Sequence, residues 1–212
     1  RFVKENDLGK FSYTIAGQAL QAYRHRFLNC NIWIHRYPDV MEAERAAYHG
    51  GRTEAFFLGK VPADKVYYLD INSMYPSVMV ENPYPIRLLS TIRKPTLKGI
   101  AKLSRDYEVM VKGRWNIKEP VLPLMQERLT FPIGRFSSTI TGPEYRYLAD
   151  RGWIEAIYTA WIYQRGYPFT NYITYFWKLR SEAIGHKQLP KRTTDRNSNV
   201  LLLPLPLTKS YR

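Results

Sequence analysis

Helical and strand-like patterns follow one another along this chain and predict a mixed α+β fold. Residues 14–27 and 168–184 carry apolar side chains at helical spacing, whereas 107–111 and 153–163 have the composition and pattern of strands. A hairpin is expected within 122–136. With 212 residues, 45% of them hydrophobic, the chain can bury one sizeable core, or one domain with pieces of its neighbours.

The predicted helices carry recognisable start and stop signals. Ser12 or Thr14 can cap the first helix, and Thr141–Glu144 has the pattern of a capping box with proline just inside the start. The latter helix should end at Gly152. The inward face of the first helix is predicted to consist of Ile15, Ala19, Leu20, Tyr23 and Phe27.

Residues 65–88 combine a predicted strand with several prolines. Val66–Leu69 is β-branched and aromatic, which predicts a buried strand ending at Asp70. Prolines at positions 76, 83 and 85 should prevent long regular structure until about Leu88. After about His186 no period of either kind persists, and we expect an aberrant or unfolded tail.

The charge of the chain favours a polyanionic partner. Lys and Arg total 32 against 18 Asp and Glu, a net charge of +14. Basic residues alternate with 17 Tyr, 5 Trp and 9 Phe, and aromatic rings can stack on bases. A basic surface that serves solubility is the simpler alternative.

Cysteine content and hydropathy favour a soluble intracellular protein. Cys30 is the only cysteine, so a disulfide framework and a cysteine-based zinc site are excluded. The sequence has no stretch of about 18 apolar residues and no signal-peptide pattern. We therefore expect no membrane partner.

The segment Asp70–Ser77, DINSMYPS, carries the chemistry. A carboxylate at a strand end, opening into a tight turn, can hold a divalent cation where a phosphate also reaches it. An aromatic residue five positions later, Tyr75, could pack against the sugar of a nucleotide. The alternative is an aspartate that caps the turn, with Tyr75 in the core.

The string resembles the palm motif Asp-x-x-Ser-Leu-Tyr-Pro-Ser of family B DNA polymerases, with Met74 in place of leucine. Upstream, Tyr48-His49-Gly50-Gly51 is similar to the Tyr-x-Gly-Gly element of the protein-primed branch of that family. Taken alone, these four residues could form an ordinary tight turn. The resemblance implies a partial palm with an antiparallel sheet and helices, and template-directed nucleotidyl transfer.

The resemblance also assigns roles to residues near the motif. Asp70 would be catalytic, binding Mg²⁺ through its carboxylate, and Ile71 would bind the metal through its carbonyl. Ser73, Met74 and Tyr75 would lie under the incoming deoxynucleoside triphosphate, with Tyr75 excluding a ribose 2′-hydroxyl.

The resemblance also assigns an arginine to the triphosphate and a loop to DNA binding. Arg180, on the helix similar to the first fingers helix, would contact the triphosphate, although a solvated arginine is the commoner explanation. The DNA-binding residues would be Tyr48, Gly50, Gly51 and Arg52, because paired glycines let the backbone approach a template strand closely.

The same resemblance predicts domains and partners. Primer–template DNA is the expected partner, and a terminal protein is a further one. The predicted segments are the end of a 3′–5′ exonuclease domain (1–46), a linker with the Tyr-x-Gly-Gly element (47–64), the palm strand and first catalytic motif (65–82), an insertion that would contact the terminal protein (83–165), the start of the fingers (166–186) and the aberrant tail (187–212).

The sequence departs from the family where the fingers motif Lys-x-x-x-Asn-Ser-x-Tyr-Gly is required. Residues 192–201 match only at Asn197-Ser198, and the paired aspartates that complete the metal site are missing. We therefore expect a polymerase fragment that is inactive alone. A non-catalytic nucleic-acid-binding module is the alternative, and another metal-dependent transferase a weaker one.

Overall fold

The chain combines helices with antiparallel strands, and this computed structural model describes residues 1–62 and 65–184. The helices are α1 (Phe2–Glu5), α2 (Ile15–Ala22), α3 (Pro38–Ala47), α4 (Met74–Glu81), α5 (Leu97–Asp106), α6 (Gly142–Arg151) and α7 (Thr170–Ile184). The strands are β1 (Tyr84–Arg93), β2 (Glu108–Ile117), β3 (Leu124–Met125), β4 (Leu129–Thr130), β5 (Gly134–Ile140) and β6 (Ile154–Gly166). The predicted α+β fold class is confirmed. The predicted tail lies outside the described residues.

The main sheet has four strands in the order β1-β6-β2-β5, all antiparallel. β6 pairs with both β1 and β2, so that Tyr163 lies opposite Leu88 on one side and Glu108 on the other. The strands predicted at 107–111 and 153–163 are confirmed and extend further, to Ile117 and Gly166. The predicted hairpin is confirmed as the small β3-β4 pair.

One face of the sheet packs against α5 and α6 and forms the largest core cluster. Side chains alternate along a strand, so Val111, Trp115 and Ile117 of β2 all reach this face. Trp115 is fully buried, and its Nε1 donates to Ser138 Oγ at 2.9 Å, so its one polar atom is paired. This core needs no contribution from the chain before β1.

Helix α6 has the predicted ends. The backbone N–H of Thr141 donates to the Glu144 carboxylate at 2.7 Å, which is half of the capping box. Gly152 follows the helix with a φ of 67°, the left-handed conformation that glycine adopts without strain.

The opposite face of the sheet is partly covered by α3, a helix that the sequence analysis missed. Val40, Ala43 and Ala47 of α3 pack against Met110 and Trp161 of the sheet. These alanines and the valine recur at helical spacing, and Pro38 occupies the first turn, where proline is tolerated. That pattern is a signal for the helix, but two of its three inward residues are alanine, which makes the signal weak.

A buried carboxylate, Glu108, connects four elements around the main core. Its Oε1 accepts from Arg165 Nε at 2.9 Å and from Arg146 Nη1 at 3.5 Å. Arg165 also donates to the carbonyl of Ser104 at 2.9 Å. The network therefore joins β2 to β6, α6 and the end of α5.

The end of helix α2 packs against α7. Thr14 caps α2 as predicted, and the helix continues as a π-helix over Tyr23–Phe27. Phe27 is buried among the rings of Tyr172, Tyr175 and Phe176.

Part of the predicted inward face of this helix was wrong. Ile15 is 92% exposed and Leu20 is also exposed. The reason is that burial is concentrated at Ala22 and Phe27, where the π-helical turn meets α7.

Two expectations for residues 65–88 were also wrong. Val66–Leu69 form no strand, and their side chains are exposed, because no described strand pairs with this segment. The prolines do not prevent regular structure. Pro76 lies in the first turn of α4, where its missing N–H has no intrahelical partner to lose, and Pro85 lies in the edge strand β1.

Candidate nucleotide-binding site

Asp70 stands at the end of an exposed segment that is neither helix nor strand, and immediately before a turn. The N–H of Met74 donates to the Ile71 carbonyl at 3.3 Å, which closes the turn, and α4 begins at Met74. Ser73 precedes the helix with a φ of 55°, a left-handed conformation that non-glycine residues rarely adopt. Strain of this kind often accompanies functional turns.

The Asp70 carboxylate is exposed and makes no hydrogen bond or ion pair with any described residue. The Ile71 carbonyl accepts a single hydrogen bond and keeps a second lone pair. Both oxygens are of the type that Mg²⁺ prefers. Within residues 1–62 and 65–184, however, no three His, Cys, Asp or Glu side chains gather in a way that could hold a metal ion. The described residues therefore supply part of a donor set, not a complete site.

Helix α7 brings Arg180 to the turn. Its Nη1 donates to Ser73 Oγ at 3.2 Å, although the two residues are 107 positions apart in the sequence. At the other end of the contact between α7 and α4, Thr170 Oγ1 donates to the Val80 carbonyl at 3.4 Å. The fold thus places a cation beside the turn that follows Asp70.

Tyr75 lies in the first turn of α4 with its side chain 61% exposed, so its ring is accessible from solvent. Met74 is half-buried at the start of the same helix. The core position that the alternative interpretation assigned to Tyr75 is therefore wrong. The N-terminus of a helix attracts anions, but the Met74 N–H is used by the Ile71 carbonyl and Pro76 has no N–H, so the first turn of α4 offers fewer donors than usual.

The Tyr48–Arg52 segment lies elsewhere, directly after α3. Tyr48 ends that helix and is exposed, as are Gly50 and Gly51. A Cβ added at Gly50 would meet no atom within 4 Å, so the backbone there faces open space. Beside the segment is a groove of about 350 Å³, lined by residues that include His49, Lys112, Ser137 and Thr139.

Arg52 differs from its neighbours because its side chain is only 8% exposed. Its Nε donates to Glu54 Oε2 at 2.7 Å and its Nη1 to the Pro120 carbonyl at 2.6 Å. The sequence analysis did not find these contacts. The Arg-x-Glu spacing was a weak local signal for the contact with Glu54. No local signal exists for the contact with Pro120, which lies 68 positions away.

None of the described helices combines the length and apolar character needed to cross a membrane.

Comparisons with known proteins agree with this architecture. The family model for DNA polymerase type B, organellar and viral, matches residues 9–195. No curated protein sequence matches the chain. The solved structure of Phi29 DNA polymerase, in an orthorhombic crystal form, is similar in fold with a TM-score of 0.59 at 13% sequence identity. The similarity covers 85% of this chain and 34% of that polymerase, so the chain spans about a third of its length.

Proposed function

The chain belongs to the organellar and viral type B DNA polymerases, and from that premise we propose that it provides the triphosphate-binding part of a nucleotidyl-transfer site in protein-primed DNA replication. The observation that supports this most directly is the hydrogen bond between Arg180 and Ser73, which sets a guanidinium beside the turn after Asp70. The two residues are 107 positions apart in the sequence, so it is the fold that brings them together.

Arg180, Ser73, Met74 and Tyr75 are the proposed triphosphate contacts. The guanidinium of Arg180 would offset phosphate charge, and it can exchange its hydrogen bond to Ser73 for a stronger one to a phosphate oxygen. The positive end of the α4 dipole also favours an anion, although the Met74 N–H already donates to the Ile71 carbonyl and Pro76 has no N–H. Of the first three residues of α4, only Tyr75 can therefore offer a backbone N–H to a phosphate. The exposed ring of Tyr75 would pack against the sugar and exclude a 2′-hydroxyl.

Asp70 and the Ile71 carbonyl are the proposed Mg²⁺ ligands within this chain, and Asp70 is the proposed catalytic residue. When bound, Mg²⁺ would supply positive charge for the attacking 3′-hydroxyl and for the triphosphate. Because the described residues supply only part of the donor set, the remaining carboxylates would have to come from elsewhere in a complete polymerase. We therefore expect this chain to bind nucleotide without turning it over.

Primer–template DNA is the second proposed partner. The net charge of +14 favours a polyanion, and the exposed Tyr48, Gly50 and Gly51, together with Arg52, form the proposed DNA-binding loop. The sheet region at 83–165 is the proposed insertion that would contact a terminal protein. The labels for the remaining segments, exonuclease end at 1–46 and fingers start at 166–186, are proposals of the same kind.

The test is the binding of a deoxynucleoside triphosphate to the full chain with and without MgCl₂. Arg180→Ala should weaken binding about tenfold, the loss of one charge-assisted hydrogen bond. Lys178→Ala removes an exposed cation of the same helix and should change affinity less than twofold. Asp70→Asn should abolish the part of the binding that depends on Mg²⁺.

Two outcomes would overturn the proposal. Equal losses from Arg180→Ala and Lys178→Ala would indicate non-specific charge attraction. Salt-sensitive DNA binding with no response to MgCl₂ or to Asp70→Asn would instead favour the non-catalytic nucleic-acid-binding module.

A further inference from the structure

The Arg52 side chain is nearly buried and bonded to protein groups, although it follows two exposed glycines. All three nitrogens of its guanidinium donate, Nε and Nη2 to the Glu54 carboxylate and Nη1 to the Pro120 carbonyl. Three of the five guanidinium N–H donors are thus engaged, and the 8% exposure of the side chain leaves the other two little access to a phosphate in solvent.

Two aromatic rings complete the surroundings of the guanidinium. Its central carbon lies 4.6 Å from the ring centroid of Phe131 and 5.1 Å from that of Phe56. Cation–ring contacts of this length are attractive, more so where water is excluded, as the low exposure of Arg52 indicates.

The partners of Arg52 come from two separate parts of the chain. Glu54 and Phe56 belong to the loop that follows α3, whereas Pro120 and Phe131 flank the β3-β4 hairpin. The guanidinium therefore connects the proposed DNA-binding loop to the hairpin at the sheet. We refer to Arg52 with these four partners as the Arg52 clasp.

We propose that Arg52 is a positioning residue for DNA binding: the clasp holds the Tyr48–Gly51 backbone in place, and Arg52 itself does not contact phosphate. The inference rests on the DNA-binding role proposed above for this loop. It also requires arginine in particular, because the single ammonium of lysine cannot reproduce the planar fork that reaches a carboxylate and a carbonyl together.

The test compares three variants of the full chain, Arg52→Lys, Arg52→Ala and Glu54→Gln, by primer–template affinity over a range of KCl concentrations. If Arg52 positions the loop, all three weaken binding about tenfold, the equivalent of one lost charge-assisted hydrogen bond, and none changes the dependence of affinity on salt.

Glu54→Gln distinguishes the two roles by the sign of its effect. Removing the negative partner would release Arg52 toward DNA and tighten binding if Arg52 were a phosphate contact, whereas it weakens binding if Arg52 acts through the clasp. Retained affinity in Arg52→Lys, or a salt slope reduced by about one ion in Arg52→Ala, would likewise overturn the inference.

Amide hydrogen exchange of Tyr48, whose N–H donates to the Arg45 carbonyl at 3.2 Å, tests the clasp independently of DNA. The three variants should raise exchange there about tenfold and leave exchange in β2 and β6 unchanged, which also shows that they fold. Unchanged exchange at Tyr48 would overturn the inference whatever the affinities. If exchange rises as expected but the unsubstituted chain does not bind DNA, the clasp stands and the proposed DNA-binding role of the loop fails.

Discussion

The four-stranded sheet and the segment 48–73 differ in how much burial they achieve. The sheet encloses a continuous core with α5 and α6, in which Trp115, Ile117 and Leu148 are fully buried. In the segment 48–73, the described residues 48–62 and 65–73 form no helix or strand, and most of their side chains are exposed. The proposed functional residues Tyr48, Gly50, Gly51, Asp70 and Ile71 all belong to it.

This difference shows how the chain positions exposed chemical groups. Better-packed elements contact the segment at three places. Tyr48 follows directly on α3, Arg52 donates to the Pro120 carbonyl, and Ser73 accepts from Arg180 of α7. Groups that bind ligands are commonly carried on such segments, positioned by a rigid scaffold. Stability and binding should therefore respond to different substitutions in this chain.

The largest difference in the free energy of unfolding is expected when a leucine-to-alanine substitution is made in each region. Leu148→Ala empties a fully buried site of the sheet core and should lower the free energy of unfolding by about 2–5 kcal/mol. Leu69→Ala, at a side chain that is 71% exposed, should change it by less than about 0.5 kcal/mol. Urea unfolding of both variants measures the difference. Similar losses would mean that Leu69 is packed in solution, as the predicted palm strand would require.

A smaller effect is expected within the sheet from its ion pairs. Glu108→Gln removes a buried charge that faces Arg146 and Arg165, and should cost about 3 kcal/mol because the arginines lose their counter-charge. Glu155→Gln is the matched control, since its partners Arg114 and Arg135 are largely exposed, and it should cost under about 1 kcal/mol. The comparison is made by thermal and urea unfolding, and equal costs would contradict the structural role of Glu108.

The smallest expected effect concerns pH. Burial, and then the hydrogen bond to Glu44, raise the pKa of Tyr163 far above its ordinary value of 10.0. The folded state therefore keeps a proton that the unfolded state loses. The contribution of Tyr163 to stability is complete below about pH 10 and is lost as the pH rises above it.

Tyr163→Phe should accordingly make the fall in stability above pH 10 shallower, at a cost of about 1 kcal/mol near pH 7 for the lost hydrogen bond. Unfolding titrations between pH 7 and 11 measure both effects. Tyr13→Phe, at a 99% exposed ring, is the control. If stability falls as steeply with pH in Tyr163→Phe as in the unsubstituted chain, burial does not keep this hydroxyl protonated.

The sequence predicted elements well where the signal is local. The Thr141–Glu144 capping box, Gly152 and the apolar pattern of β6 specify their own structures through nearby groups, and each was confirmed. Helix α3 was missed because its inward face consists mostly of alanine, which gives a weak hydrophobic pattern.

Features that depend on distant residues could not be predicted in this way. The composition of Val66–Leu69 is typical of a strand, but a strand forms only with a partner, and propensity does not supply one. The contact between Ser73 and Arg180 and the burial of Arg52 depend on how α7 and the β3-β4 hairpin pack. For the candidate site, the motif therefore indicated the residues, whereas their relative positions required the fold.

The strand order has a consequence for how the protein is made. Among the described strands, β1 pairs only with β6, which is synthesised after α5, β2, β5 and α6. Outside the sheet, the N–H of Trp33 donates to the Ile86 carbonyl of β1 at 2.8 Å. Until β6 is synthesised, the nascent β1 has no strand partner, a state that favours pairing with other chains. The four-stranded sheet is complete only when β6 pairs with both β1 and β2. Its assembly therefore depends on a late step that joins residues distant in the sequence.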